Sequence, residues 1–142
     1  GGHELPFALR RSGSVEMIEK KNGGLVLGFF ADSIYQEDVI RLLPGEGLVI
    51  YTDGVTEAMN AKHEMFTATR LNDALVPVCR EGSAHAIIDS VISSVKAFVG
   101  GHPQSDDITL LVLRWRGPAD AAASGIGVAP EADYREPPAE VV

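Results

Sequence analysis

Asp53, Asp106 and Asp107 are the side chains around which chemistry can be built in this chain of 142 residues. Asp53 follows the apolar run Leu48-Val49-Ile50-Tyr51 and is itself followed by Gly54. Asp106 and Asp107 stand just before a second apolar run, Ile108-Thr109-Leu110-Leu111-Val112-Leu113. One carboxylate closes a core strand and a pair opens another. If the two strands lie side by side and antiparallel, Asp53 and Asp106 meet at the same edge of the sheet. Oxygen ligands on rigid strand ends are what a hard divalent cation such as Mg²⁺ or Mn²⁺ requires. Neighbouring side chains on an extended backbone point opposite ways, so only one of Asp106 and Asp107 faces such a site.

Other polar residues have plainer readings. A carboxylate one helical turn past Asp53, Glu57, is expected in the first turn of a helix, where it answers the helix dipole. His3 and His102 lie near the motif ends, but the histidines show no paired ligand spacing. Cys79 sits among apolar residues, as a buried inert thiol does. Arg70, Arg80 and Arg114 are scattered, which is the pattern of surface residues. An EF-hand calcium loop needs acidic residues at alternate positions, and Gly54, Val55 and Thr56 do not supply them. A haloacid-dehalogenase type of phosphotransferase places a nucleophilic aspartate two residues ahead of such an Asp-Gly. That position is Tyr51.

The elements that must position these groups follow from pattern and punctuation. Phe7 to Arg11 and Val15 to Glu19 read as a hairpin closed by Ser12-Gly13-Ser14. Leu25 to Phe30 is apolar throughout and expected inside. Tyr35 to Leu43 is a candidate strand, turned by Pro44-Gly45-Glu46-Gly47 into the strand that ends at Asp53, where Gly54 is expected to turn the backbone with positive φ. Thr67 is expected to cap a helix carrying Leu71, Leu75 and Val78 on one face, cut short by Pro77. Ser83 caps a longer helix to Val99, with Ile87, Ile88, Val91, Ile92, Val95 and Phe98 at helical spacing and Gly100-Gly101 at its end. Strands, then two helices, then a strand is an α+β arrangement.

The apolar fraction of 45% and charged fraction of 23% are ordinary for one globular domain. A net charge of −8 argues against a nucleic-acid partner and against docking on an anionic membrane. Residues 117–142 hold Asp120, Glu131, Asp133, Glu136 and Glu140 against Arg135 alone, in an Ala-, Pro- and Gly-rich stretch without periodicity. This stretch reads as a tail or linker, and residues 1–116 as the domain. With one cysteine, no apolar run of spanning length and no signal segment, a cytoplasmic setting is expected.

Gly2-His3 near a proline, Leu27-Gly28 with Phe30 just after, and Leu43-Pro44-Gly45 ahead of Tyr51-Thr52-Asp53-Gly54-Val55-Thr56-Glu57-Ala58 form an ordered series that ends in Gln104-Ser105-Asp106-Asp107-Ile108-Thr109. The series resembles the bacterial metal-dependent serine/threonine phosphatases of the protein phosphatase 2C superfamily, in the sporulation stage II protein E and RsbU-like branch. The resemblance covers residues 1–116 and matches the C-terminal part of that phosphatase domain, so this chain is expected to be a piece of a longer protein. It implies an antiparallel β-sandwich flanked by helices, with two Mn²⁺ or Mg²⁺ ions at one end. Asp53 and Asp106 match the metal-ligand aspartates, while Gly54 and Asp107 match their motif neighbours. The aspartate that bridges the two ions in the family comes from a segment ahead of the Gly-His motif, and nothing here matches it. The leading Gly-Gly-His-Glu-Leu-Pro also departs from the family's Ala-Gly-His followed by adjacent prolines. The implied substrate is a phosphorylated anti-sigma-factor antagonist, with a sensory domain upstream in the parent chain. The rival expectation is a non-catalytic regulatory or scaffolding half-domain, including one that forms a homo-oligomer through its sheet edges.

Overall fold

The computed structural model describes residues 3–19, 28, 39–80, 82–104 and 106–118. The fold is α+β. Strands β1 (Phe7–Leu9), β2 (Val15–Met17), β3 (Gly47–Tyr51) and β4 (Leu110–Arg114) form one antiparallel sheet in the order β2-β1-β3-β4. Between β3 and β4 the chain makes the short helix α1 (Asp53–Thr56), α2 (Thr67–Leu75), a 3₁₀ turn (Val76–Val78) and α3 (Ala84–Val99). This is the antiparallel sheet with helices that the sequence predicts. A second sheet, as in a sandwich, does not occur among the described residues.

The hairpin of β1 and β2 forms as expected, with Phe7 opposite Met17 and Leu9 opposite Val15. The predicted hairpin into β3 does not. Residues 35–38 lie outside the described residues, and 39–43 are not a strand. The reason is that both edges of β3 are already taken, by β1 on one side and β4 on the other. Pro44-Gly45 does turn, and the turn is tied to the far strand: the Gly45 N–H donates to the Trp115 carbonyl at 2.7 Å and the Trp115 N–H to that of Glu46 at 2.8 Å. The apolar run from Leu25 to Phe30 is outside the described residues except for Gly28. So is the tail beyond Pro118.

The pleat sends alternate residues to opposite faces. Phe7, Leu9, Val49 and Tyr51 face the helices and join Val55, Phe66, Leu71, Leu75, Ile87, Val91 and Val95 in one core. The opposite face carries Ile50, Leu111 and Leu113, which stay exposed at 39%, 59% and 49%. Helix α3 follows its sequence signals: the Ser83 hydroxyl accepts from the Ala86 N–H at 3.1 Å, and Gly100 closes the helix in the left-handed region at φ +59°. Such a cap contributes about 1 kcal/mol. Helix α2 departs from expectation at its start. Thr67 is the first helical residue, at φ +70°, and Phe66 precedes it as the cap position without a side-chain bond. Phe66 is buried and its N–H donates to the Ala58 carbonyl, so the core position of the aromatic ring, not a threonine cap, sets where the helix begins. Pro77 ends α2 in the 3₁₀ turn, as predicted.

Candidate functional site

The last residue of β3, Tyr51, pairs with the first residue of β4, Leu110, so the Asp53 and Asp106 motifs emerge from the same edge of the sheet. Thr52 stitches them together. Its N–H donates to the Thr109 carbonyl at 3.1 Å, its hydroxyl donates to the Asp107 carbonyl at 2.9 Å, and the Thr109 N–H donates back to that hydroxyl at 2.9 Å. Thr52 was not singled out by sequence reasoning. A hydroxyl between a strand and an Asp-Gly was the available signal.

Gly54 completes the joint. It is buried, and a Cβ built on it would meet the Asp107 carbonyl oxygen, with the Asp107 carbonyl carbon at 2.9 Å and the Asp106 oxygen at 3.2 Å. The positive φ expected at Gly54 is not what the structure uses; the residue lies inside α1 and its requirement is close approach. Asp53 therefore opens a short helix instead of ending the strand in a turn. Glu57 is the C-cap of that helix, not a first-turn residue, because only Asp53 to Thr56 are helical.

The carboxylates are held by local bonds. Asp53 Oδ1 accepts from the Gly54 N–H at 3.0 Å, and Asp106 Oδ1 accepts from the Asp107 N–H at 2.7 Å. Both side chains are exposed, and each is fixed through one oxygen. The Gln104 side-chain N–H donates to the Asp106 carbonyl at 2.7 Å and stiffens the approach to β4. Asp107 takes part through its backbone carbonyl. Among the described residues no group of three or more histidine, cysteine or carboxylate side chains converges to hold an ion. Asp53 and Asp106 supply two exposed carboxylates on braced backbone. They do not make up the donor set of a bridged pair.

The remaining candidates have structural partners. His102 and His63 stack edge to face at 5.8 Å. Cys79 is buried, its thiol raised above the usual value by burial and donating to the Ser14 carbonyl at 3.2 Å. Arg114 is less of a surface residue than expected: its guanidinium donates at 2.6 Å to each of the carbonyls of Cys79 and Arg80, capping the end of the 3₁₀ segment. Arg70 lies 4.6 Å over the Phe98 ring, and Arg80 donates to the Ser12 carbonyl.

The most consequential buried acid was also missed in the sequence. Glu46, 5% exposed, accepts from the N–H groups of Leu43 and Arg11 and from the Arg10 guanidinium. Burial pushes its carboxyl up, but these donors outweigh burial and hold it below the ordinary value. It fixes the start of β3, at the end of the strand away from Asp53.

A sequence family described as Stage II sporulation protein E (SpoIIE) matches residues 1–116. Protein IcfG of Synechocystis sp. is 31% identical over 112 residues, which are 79% of this chain and 17% of that protein. The SiaA-PP2C domain of Pseudomonas aeruginosa has a similar fold, with a TM-score of 0.56 at 22% identity over 78% of this chain and 42% of that one. The chain thus spans less than half the length of either relative. No helix among the described residues is long and apolar enough to cross a membrane.

Proposed function

The chain belongs to the Stage II sporulation protein E family of protein phosphatase 2C-like phosphatases, and on that premise we propose that it forms part of a metal-dependent phosphatase acting on phosphoserine or phosphothreonine in a protein. One observation carries the reading: the backbone of Gly54 packs on the Asp106-Asp107 peptide, which holds the two acidic motifs together at one sheet edge. In this reading Asp53 and Asp106 are the carboxylates that hold Mn²⁺ or Mg²⁺, Gly54 keeps their backbones in contact, and Thr52 and Gln104 brace the loop. A bound divalent ion supplies the positive charge that phosphoryl transfer needs. Further carboxylates belong to the rest of the parent domain. The substrate favoured by the family is a phosphorylated anti-sigma-factor antagonist, with a sensory domain elsewhere in the parent chain.

The test is dephosphorylation of such a phosphoprotein by the full-length parent, with Asp53→Asn and Asp106→Asn alongside. Each is expected to abolish Mn²⁺-dependent turnover while leaving the fold intact. Full activity in both variants would refute the assignment. For residues 1–142 alone, the two carboxylates are expected to bind one Mn²⁺ weakly and to give negligible turnover, as measured by calorimetry and a phosphoserine-peptide assay.

A second reading, a non-catalytic interaction module, draws on the exposed apolar face of Ile50, Leu111 and Leu113. An inactive parent protein that forms oligomers through this face would favour it.

A further inference from the structure

Beside the acidic edge lies a cavity of about 470 Å³. Its walls are Met59, Ile92, Val99 and Ile108, with Lys96 and Gln104 among its polar lining groups. The volume falls within the roughly 300–1,000 Å³ range of ligand pockets, and apolar walls with a few polar groups are their usual lining.

Its position ties it to the acidic motifs from both sides. Met59 follows the helix that Asp53 opens, and Ile108 follows Asp106 and Asp107 directly. Gln104 belongs to the cavity and also donates to the Asp106 carbonyl at 2.7 Å. A group seated in the cavity therefore lies against the same loop that presents Asp106. Charge points the same way: Lys96 is exposed and makes no ion pair among the described residues, in a chain whose net charge is −8. It leaves a local positive group beside the place where a phosphorylated, and hence anionic, segment would approach.

We infer that this cavity is a specificity pocket for an apolar side chain of the phosphoprotein substrate, in the segment flanking the phosphorylated residue. The inference rests on the phosphatase reading and adds to it which substrates are chosen. The phosphoresidue lies at the acidic edge, the flanking apolar side chain is buried between Ile92, Val99 and Ile108, and Lys96 pairs with the negative charge of the segment.

The test uses isotope-labelled 142-residue chain with Mn²⁺ and a set of phosphoserine peptides of Gly, Ser and Ala, in which a single leucine is moved through the flanking positions. At one offset leucine should tighten binding by roughly tenfold or more over serine, the effect of burying one such side chain. The amide signals of Met59, Ile92, Val99 and Ile108 should shift with it. Val99→Trp, which fills the cavity, should erase the leucine preference. Lys96→Glu, at an exposed position, should weaken all phosphopeptides several-fold and leave the leucine-to-serine ratio unchanged. No leucine preference at any offset, or shifts confined to other parts of the chain, would overturn the pocket whatever the variants do, since that comparison uses the unaltered protein. Equal binding of phosphorylated and unphosphorylated peptides, with the leucine preference kept, would instead count against the phosphatase reading and leave the apolar pocket standing.

Discussion

Gly54 and Asp107 touch through their backbones: no side chain fits at position 54, because its first carbon would collide with the Asp107 carbonyl. The colliding atoms belong to backbone that Thr52 already fixes by hydrogen bonds, so they cannot yield cheaply.

Gly54→Ala is therefore expected to lower stability by about 1–3 kcal/mol, the usual cost of forcing extra volume into a packed site. It should also weaken Mn²⁺ binding by pushing the Asp53 helix off the Asp106 loop. Urea unfolding and Mn²⁺ titration of the same variant check both effects.

Glu46 gives a prediction in acid. Its folded carboxyl lies below the ordinary value, so its contribution is present above the unfolded value of 4.5 and lost as pH falls through and below it. Glu46→Ala should cost about 1–3 kcal/mol, because it leaves the N–H groups of Leu43 and Arg11 without their buried acceptor, while Arg10 keeps its ion pair with Glu16 at 2.8 Å. The variant should also lose stability less steeply than the wild type between pH 5 and pH 3, both rough limits set by linkage. Thermal melts across that range measure it.

Tyr51 works in the opposite direction. It is 3% exposed, stacks on Phe7 at 5.9 Å between ring centroids, and its hydroxyl has no partner among the described residues. Burial, reinforced by the charge of Glu4, pushes the phenol up to about 12. A raised folded value means the stability is complete below the unfolded value of 10.0 and lost as pH rises towards about 12. Tyr51→Phe should be neutral or stabilising by up to about 1 kcal/mol at neutral pH, since it removes an unpaired buried hydroxyl. The variant should keep its stability further into alkali, as alkaline denaturation followed by circular dichroism would show.

What the sequence revealed depended on how local the cause was. The β1–β2 hairpin, the Ser83 cap and the Gly100 stop each rest on a few neighbouring residues, and all three form. The meeting of the Asp53 and Asp106 motifs at one sheet edge was also readable, because apolar runs with acidic ends imply it once strands pair antiparallel. The hairpin into β3 failed because a strand pairs with whatever reaches its edges, and here β1 and β4 reach them from far along the chain. The start of α2 was misplaced because a buried aromatic, Phe66, outweighed a capping preference worth about 1 kcal/mol. Glu46 and Thr52 stayed invisible for a related reason: apart from Leu43, which lies close to Glu46, the partners of their side chains are separated from them by tens of residues.

The order of the sheet has a consequence in time. Strand β3 is made early, but β4, which completes its second ladder, comes only after both long helices. During synthesis the Asp53 tip thus emerges well before the peptide that Gly54 must touch. Closing so long an intervening segment is slow compared with forming a hairpin. Cation affinity should appear with the arrival of β4, so a metal-sensitive signal during refolding would time the last docking step, after the hairpin and helices have already gained their structure.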